Sequence, residues 1–371
     1  MKIVLATPLY PPDSGGPATY AKLLKEYLPE QGVDVTLVNF GEVRHLPKVT
    51  RHIVYFWRVF KAGRSADVIF ALDPVSTGLP ALLAARILGK PFVVKIVGDF
   101  AWEQGTQRFG VQETLDEFVK RERTPFAVAC LRAVQTRVAR SATRVIVPSH
   151  YLKDIIMTKV WNVSEEKIIV INNAIIEEAK DTLPDDIKKL PAPWIVSVGR
   201  MVPWKGFDGL IDAVAIVREK LPGVGLVLVG DGPDRATLEN RAQKILKDNF
   251  IFAGTRTHQE TFSIMAAAAV FVLNSTYEGL SHVLVEATLC GKAIVVTDAG
   301  GNSEVITDQE NGLLIAPERP DKLAEALMRL LTDDNLREKL GRNAQESSKR
   351  FSVPVMIQET QHVLESVVSR N

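Results

Sequence analysis

The stretch NNAIIEEAKDTLPDDIKKLPAP (172–193), followed at once by WIVSVG (194–199), decides the fold. The first part is charged, proline-containing and without apolar period, as a linker between domains is. The second part is a Val/Ile-type run that stops at glycine, as a buried strand does. One series of apolar runs therefore ends before residue 172 and another begins at 194. At 371 residues the chain is also too long for one ordinary core.

Working outward, KIVLAT (2–7), VDVTLVNF (33–40), DVIFAL (67–72), FVVKIV (92–97) and RVIVPS (144–149) precede the linker. WIVSVG, GLVLVG (225–230), FIFAG (250–254), VFVLN (270–274) and AIVVT (293–297) follow it. Helical patterns lie between them, among them residues 18–29, 77–88 and 114–140. Strands alternating with helices predict an α/β fold with two doubly wound parallel sheets. The expected division is residues 1–175, residues 190–352, and an amphipathic helix in 353–371 packing back towards the first domain. Two such domains are expected to face a central cleft lined by the carboxyl ends of both sheets, where ligands of open α/β sheets bind.

Composition narrows the function. The net charge is +1, which gives no reason to expect nucleic acid as a partner. Residues 1–170 nevertheless carry 23 Lys/Arg against 16 Asp/Glu, and the remainder 22 against 28. Cys130 and Cys290 form neither a disulfide framework nor a metal-ligand spacing. The N-terminus reads as a strand rather than a signal peptide, and the longest apolar run, residues 264–273, is too short to span a bilayer. The expected location is cytoplasmic, with a peripheral place on the inner face of the cell membrane as the alternative.

The loops after the strands of the second half hold the chemistry. Gly199 and Arg200 end WIVSVG, and Lys205 follows; a guanidinium fork and an ammonium are two ways of holding phosphate oxygens. Solvated cations on a turn are the plain alternative. In NSTYEGLSHVLVEATLCGKAIVVT (274–297), Glu278 and Gly279 sit in a loop and Ser281 caps a helix running to about Cys290. A helix start after a small glycine favours an anion, so no metal is needed to hold a diphosphate there. Glu286 lies within the helix between Val285 and Ala287, where a carboxylate needs a partner. A vicinal diol such as a ribose would serve. Gly230 and Gly232 in VGDGP are open to two readings, turn glycines or direct ligand contacts.

This ordered set resembles the retaining GT-B glycosyltransferases of family 4. The shared features are the Gly15-Gly16 loop, the strand ending at Asp99, VPS, VGR, KG, VGDGP, FAG, the pair Glu278 and Glu286, and GGNSE from Gly300 to Glu304. The resemblance covers nearly the whole chain and implies the GT-B fold, with Rossmann-like domains and a nucleotide-sugar donor. It implies that Arg200 and Lys205 neutralise the donor diphosphate and that Glu286 holds the ribose. Glu278 would lie by the donor sugar, with the amides of Gly279, Leu280 and Ser281 at the phosphate or sugar. Ala253, Gly254 and Arg256 would line the base. A UDP-sugar is the favoured donor, with GDP- and ADP-sugars as alternatives, and no cofactor or metal is expected.

In the first half, Gly16 is expected at the donor phosphate and Gly15 at the acceptor; a plain surface turn is the alternative. Family members often carry histidine where this chain has Gly98, so no histidine role carries over and Asp99 becomes the polar candidate. Its alternative reading is a helix cap. Trp102 and Glu103 are candidates for a sugar-stacking face and an acceptor contact. Residues 44–64, RHLPKVTRHIVYFWRVFKAGR, are basic and aromatic without one acid. They fit a membrane-surface helix or, equally, a helix whose apolar side faces the core. The expected acceptor is a sugar or lipid-linked sugar in cell-surface polysaccharide, lipopolysaccharide or glycolipid synthesis. A nucleotide-sugar epimerase and a non-catalytic nucleotide-sugar-binding protein are the rival readings.

Overall fold

The structure is a computed structural model. It describes every residue except Ser14, Gln112, Thr114, Glu122, residues 176–181 and residues 369–371. The start of the expected 114–140 helix, the middle of the linker and the end of the 353–371 segment thus fall outside the described residues. The chain divides into two compact units, Met1–Ala174 with Val353–Asn371, and Ile175–Ser352.

In the first unit β1 (Lys2–Thr7), β2 (Asp34–Asn39), β3 (Val68–Ala71), β4 (Phe92–Lys95), β5 (Arg144–Val147) and β6 (Ile168–Val170) pair in parallel. Their order is β2-β1-β3-β4-β5-β6. Strands such as VIFA and FVVK are buried at every position, the condition for a parallel sheet covered on both faces. The covering helices include α1 (Gly16–Tyr27), α2 (Lys48–Gly63), α3 (Gly78–Leu88), α4 (Phe100–Arg108), α5 (Leu115–Lys120) and α6 (Phe126–Ser141). The single helix expected over 114–140 is therefore two. Pro125 is the N-cap of α6, and proline pushes the residue before it out of helical conformation.

The second unit begins with α7 (Asp185–Lys188) and β7 (Trp194–Val198), then α8 (Phe207–Arg218), β8 (Gly225–Val229), α9 (Arg235–Ile245) and β9 (Phe250–Gly254). It continues with α10 (His258–Ala267), β10 (Val270–Leu273), α11 (His282–Leu289), β11 (Ala293–Thr297) and β12 (Leu313–Ile315), and ends with α12 (Pro320–Thr332) and α13 (Asp334–Ser347). The sheet order is β12-β11-β10-β7-β8-β9. Its two faces bury separate clusters: Ile195 belongs to one, and Trp194, Val196 and Val198 to the other. That alternation along β7 is the period of a strand. The last helix, α14 (Val353–Val368), belongs to the first unit and packs on α1; the Tyr20 hydroxyl lies 3.3 Å from Thr360 Oγ1.

In the second sheet the chain runs outward from β7 through β8 to β9, then returns to the other side of β7 with β10, β11 and β12. The order thus reverses between β7 and β10. The carboxyl ends of those two neighbours form the switch point at which open α/β sheets leave a crevice.

Candidate functional site

The loops after β7 and β10 are tied together at that switch point. Past Val198, the chain turns through Arg200 to a short helical turn at Pro203–Lys205. Past Leu273, it runs from Asn274 through Glu278 to α11. Asn274 Nδ2 donates to the Gly206 carbonyl at 2.8 Å, and Thr276 N donates to the Trp204 carbonyl at 2.8 Å. Between these ties Lys205 Nζ donates to Glu278 Oε1 at 2.5 Å. Ser275 Oγ donates to the same oxygen at 2.7 Å. The two side chains are only 17% and 11% exposed, so the charges are largely shielded from water and each compensates the other. Arg200 is exposed on the same loop as Lys205.

The loop after β11 fixes Glu278 from below. Gly301 N donates to the Glu278 carbonyl at 2.9 Å. Gly300 has φ +61°, and a Cβ built there would stand 1.9 Å from that carbonyl oxygen. Only glycine lets the two backbones approach so closely. Gly279 and Leu280 are buried, and Ser281 is the N-cap of α11, with its Oγ accepting from Leu284 N at 3.4 Å.

Glu286 lies one turn into α11 and is buried, with Oε1 3.0 Å from His258 Nε2. His258 opens α10, just after the Ala253, Gly254 and Arg256 loop, so a side chain of α10 meets the carboxylate of α11. Arg256 is turned to its own unit: Nε donates to the Ala253 carbonyl at 2.8 Å, and its guanidinium pairs with Asp186. Gly230 and Gly232 resolve as packing glycines. A Cβ on Gly230 would stand 2.0 Å from Gly199 O, and one on Gly232 would stand 2.3 Å from Met201 O. They let the loops after β7 and β8 lie side by side.

In the first unit Gly15 is the N-cap of α1 and Gly16 its first residue. Asp99 is the N-cap of α4 and is buried. Its Oδ1 accepts from Trp102 N and from Gln135 Nε2, both at 2.9 Å, and its Oδ2 from Trp161 Nε1 at 3.3 Å. Burial pushes its carboxyl above the usual range, against the pull of these donors. Its oxygens thus serve the helix start and its neighbours, the arrangement of a helix cap. Trp102 is 2% exposed and donates from Nε1 to the Glu113 carbonyl at 2.9 Å. Glu103, next to it on α4, is half-buried.

Sequence reasoning did not find His258, Ser275 or Asn274. The run THQE does announce a capped helix, since Thr257 and Glu260 form a capping box, but nothing in it announces the partner of His258. Among the described residues no group of three or more His, Cys, Asp or Glu could hold a metal ion. Among them, too, no helix is long and apolar enough to cross a membrane.

Two parallel six-stranded sheets, with shielded charges at a switch point, place the protein in the GT-B fold class. The chain belongs to the group 1 glycosyl transferases: residues 180–347 match the family Glycosyl transferases group 1, and residues 4–174 match the Glycosyl transferase 4-like domain. An uncharacterized glycosyltransferase of Methanocaldococcus jannaschii is 35% identical over 155 residues, 42% of this chain and 43% of that one. The lipopolysaccharide core biosynthesis glycosyltransferase LpsE of Rhizobium meliloti is 35% identical over 173 residues, 46% of this chain and 48% of that one. The chain thus spans about half the length of these relatives in each match. The crystal structure of Anabaena HepE in complex with UDP and glucose shares the fold, with a TM-score of 0.77 at 23% identity over 99% of this chain and 100% of that one.

Proposed function

We propose that the protein is a retaining glycosyltransferase. It moves a sugar from a nucleotide diphosphate sugar, with UDP as the favoured nucleotide, to an acceptor hydroxyl in cell-surface polysaccharide, lipopolysaccharide or glycolipid synthesis. The observation that carries this reading is the shielded Lys205–Glu278 pair at the β7/β10 switch point, with Arg200 on the same loop. Cations there suit a diphosphate, and a carboxylate beside them suits a sugar whose hydroxyls need an acceptor. The UDP and glucose of the HepE complex and the core-polysaccharide role in the name of LpsE support the choice of donor and product class.

The bond from the anomeric carbon to the phosphate oxygen breaks, and its electron pair leaves with the diphosphate. The acceptor oxygen attacks the same face of the sugar, and its proton passes to the departing phosphate oxygen. Arg200 and Lys205 stabilise the charge that grows on the diphosphate. Lys205 shifts from Glu278 towards phosphate as it does so, and Glu278 meets the cationic sugar with its carboxylate. Glu286 accepts from the ribose hydroxyls. The amides of Gly279, Leu280 and Ser281 serve the phosphate or sugar, and the loop holding Ala253, Gly254 and Arg256 serves the base. Gly16 belongs to the phosphate side. On the acceptor side Gly15 and Glu103 remain, with Asp99 and Trp102 as the frame that seats Glu103 at the start of α4. Catalysis is positioning and charge stabilisation, without a protein nucleophile.

The test is a transfer assay with labelled nucleotide sugars and a panel of sugar and lipid-linked acceptors, with the anomeric configuration of the product read by NMR. Retention with release of nucleoside diphosphate is expected. An inverted product would overturn the retaining mechanism. Conversion of the donor to its epimer without acceptor would favour an epimerase instead.

A further inference from the structure

α2 carries apolar side chains on two separate faces. Tyr55, Val59 and Gly63, spaced by four, are buried on the side of β1 and α3. Val49, Ile53 and Trp57, also spaced by four, form a second row that is 74%, 53% and 59% exposed. At 3.6 residues per turn, Ile53 and Tyr55, like Trp57 and Val59, point roughly 160° apart, so the two rows lie on nearly opposite sides of the helix. A helix that serves only the core needs the first row and has no use for the second.

The exposed row is braced rather than loose. Trp57 packs edge-on against Phe56 and Phe60, with ring centroids 5.2 and 5.5 Å away. These half-buried phenyl rings hold the indole out from the unit. Around the row stand Lys48, Lys61 and Arg64, all exposed, and none of the three makes an ion pair among the described residues. Arg58 is the exception, paired with Glu42. From Arg44 to Arg64 the chain has no acid. A second copy of the chain docking through this face would bring like charges together, whereas an anionic surface complements it.

We propose that α2 lies on an anionic lipid surface. Val49, Ile53 and Trp57 enter the boundary between headgroups and acyl chains, and Lys48, Lys61 and Arg64 stand among the headgroups. This inference stands apart from the reaction proposed above, because it uses none of the residues assigned to donor or acceptor.

The test uses the full chain and sedimentation with vesicles of phosphatidylcholine alone or with about one-third phosphatidylglycerol. The chain is expected to bind the anionic vesicles, to release them at high salt, and to ignore the neutral ones. The variant Ile53→Ser with Trp57→Ser should bind at least about tenfold more weakly, as should Lys48→Glu with Lys61→Glu. All four positions are exposed, so circular dichroism and Tm should match the parent and exclude unfolding as the cause. Tryptophan quenching by brominated lipid should occur in the parent and fall sharply in Trp57→Phe, since Trp102, Trp161 and Trp194 are buried and Trp204 is half-buried on the loop after β7, in the other unit. Equal binding by parent and variants would overturn the proposal, as would no binding to anionic vesicles. A concentration-dependent dimer that the Ile53/Trp57 variant abolishes would give the face to a second copy and overturn it too.

Discussion

Lys205 Nζ and Glu278 Oε1 stand 2.5 Å apart although 73 positions separate them in the chain. They join the loop after β7 to the loop after β10, and each shields the charge of the other. A buried pair of this kind costs more to break than it contributes when intact, because removal of one partner leaves the other charge uncompensated. Lys205→Ala is therefore expected to lower stability by about 1–3 kcal/mol and turnover by about a hundredfold or more. Glu278→Ala should do likewise. The double variant should lose less stability than the sum of the two, by at least about 0.5 kcal/mol in urea unfolding. Strict additivity would mean that the pair is not coupled.

The close approach of Gly300 to the Glu278 carbonyl makes a second expectation. Gly300→Ala must move one of the two backbones, because its Cβ would meet that oxygen at 1.9 Å and its φ of +61° disfavours a side chain. The substitution touches no group assigned to a ligand. Its effect on transfer should nevertheless approach that of Glu278→Ala, while Gly89→Ala, at a positive-φ helix end with open space around it, should leave transfer unchanged. Measured kcat/KM for the two variants decides the matter; equal activities would contradict the account of the loop.

What could be read in advance follows from how far each contact reaches. Parallel strands buried on both faces announce themselves as Val/Ile runs, so ten of the twelve strands among the described residues were legible. β6 and β12, three residues each, were too short to rise above their surroundings. Glu278 and Glu286 were legible because their spacing straddles a capped helix start. Their partners Lys205, Ser275 and His258 meet them through folding, and no local pattern encodes those meetings. Asp99 is a related case: a strand end reads as a rim, and Gln135 and Trp161 meet it from elsewhere in the chain. For residues 44–64 the sequence left a membrane-surface helix and a core-facing helix open, and the packing shows Tyr55, Val59 and Gly63 buried while Val49, Ile53 and Trp57 stay exposed.

His258 gives a third expectation. Its Nε2 sits 3.0 Å from Glu286 Oε1 and orients the carboxylate assigned to the ribose. Wild type should bind UDP more tightly than its 2′-deoxy analogue, by about tenfold for one lost hydrogen bond to a charged group. Glu286→Gln should erase most of that preference, and His258→Ala should reduce it while leaving kcat nearly intact. If Glu286→Gln keeps the full preference, the ribose assignment fails. If only His258→Ala keeps it, the positioning role fails alone.

Lys95 makes a prediction about pH. It is buried in β4 with its ammonium 3.8 Å from the centre of the Tyr20 ring, and its Nζ has no hydrogen-bond partner among the described residues. Burial pulls its pKa from 10.5 down to about 7. Between those values the unfolded chain binds the proton and the folded one releases it, so stability rises with pH from about 7 towards 10.5. The slope is at most about 1.4 kcal/mol per pH unit. Below pH 7 both states carry the charge and the full cost of burying it remains. Lys95→Met should raise Tm, with the larger gain at pH 6 than at pH 9. A gain independent of pH, or a loss at pH 6, would contradict the assignment.

The central claim is that the second unit holds a nucleoside diphosphate between Arg200, Lys205 and the start of α11. The most direct measurement is the thermal shift of wild type, Arg200→Ala and Lys205→Ala with UDP, GDP, ADP and uridine. Saturation near a hundredfold over Kd stabilises by about 2.7 kcal/mol, which raises Tm by several degrees. The account predicts such a shift for wild type with one nucleoside diphosphate, UDP foremost, little shift with uridine, and a reduced shift in both variants. Absence of any diphosphate-dependent shift in wild type, or the same shift in both variants, would contradict it.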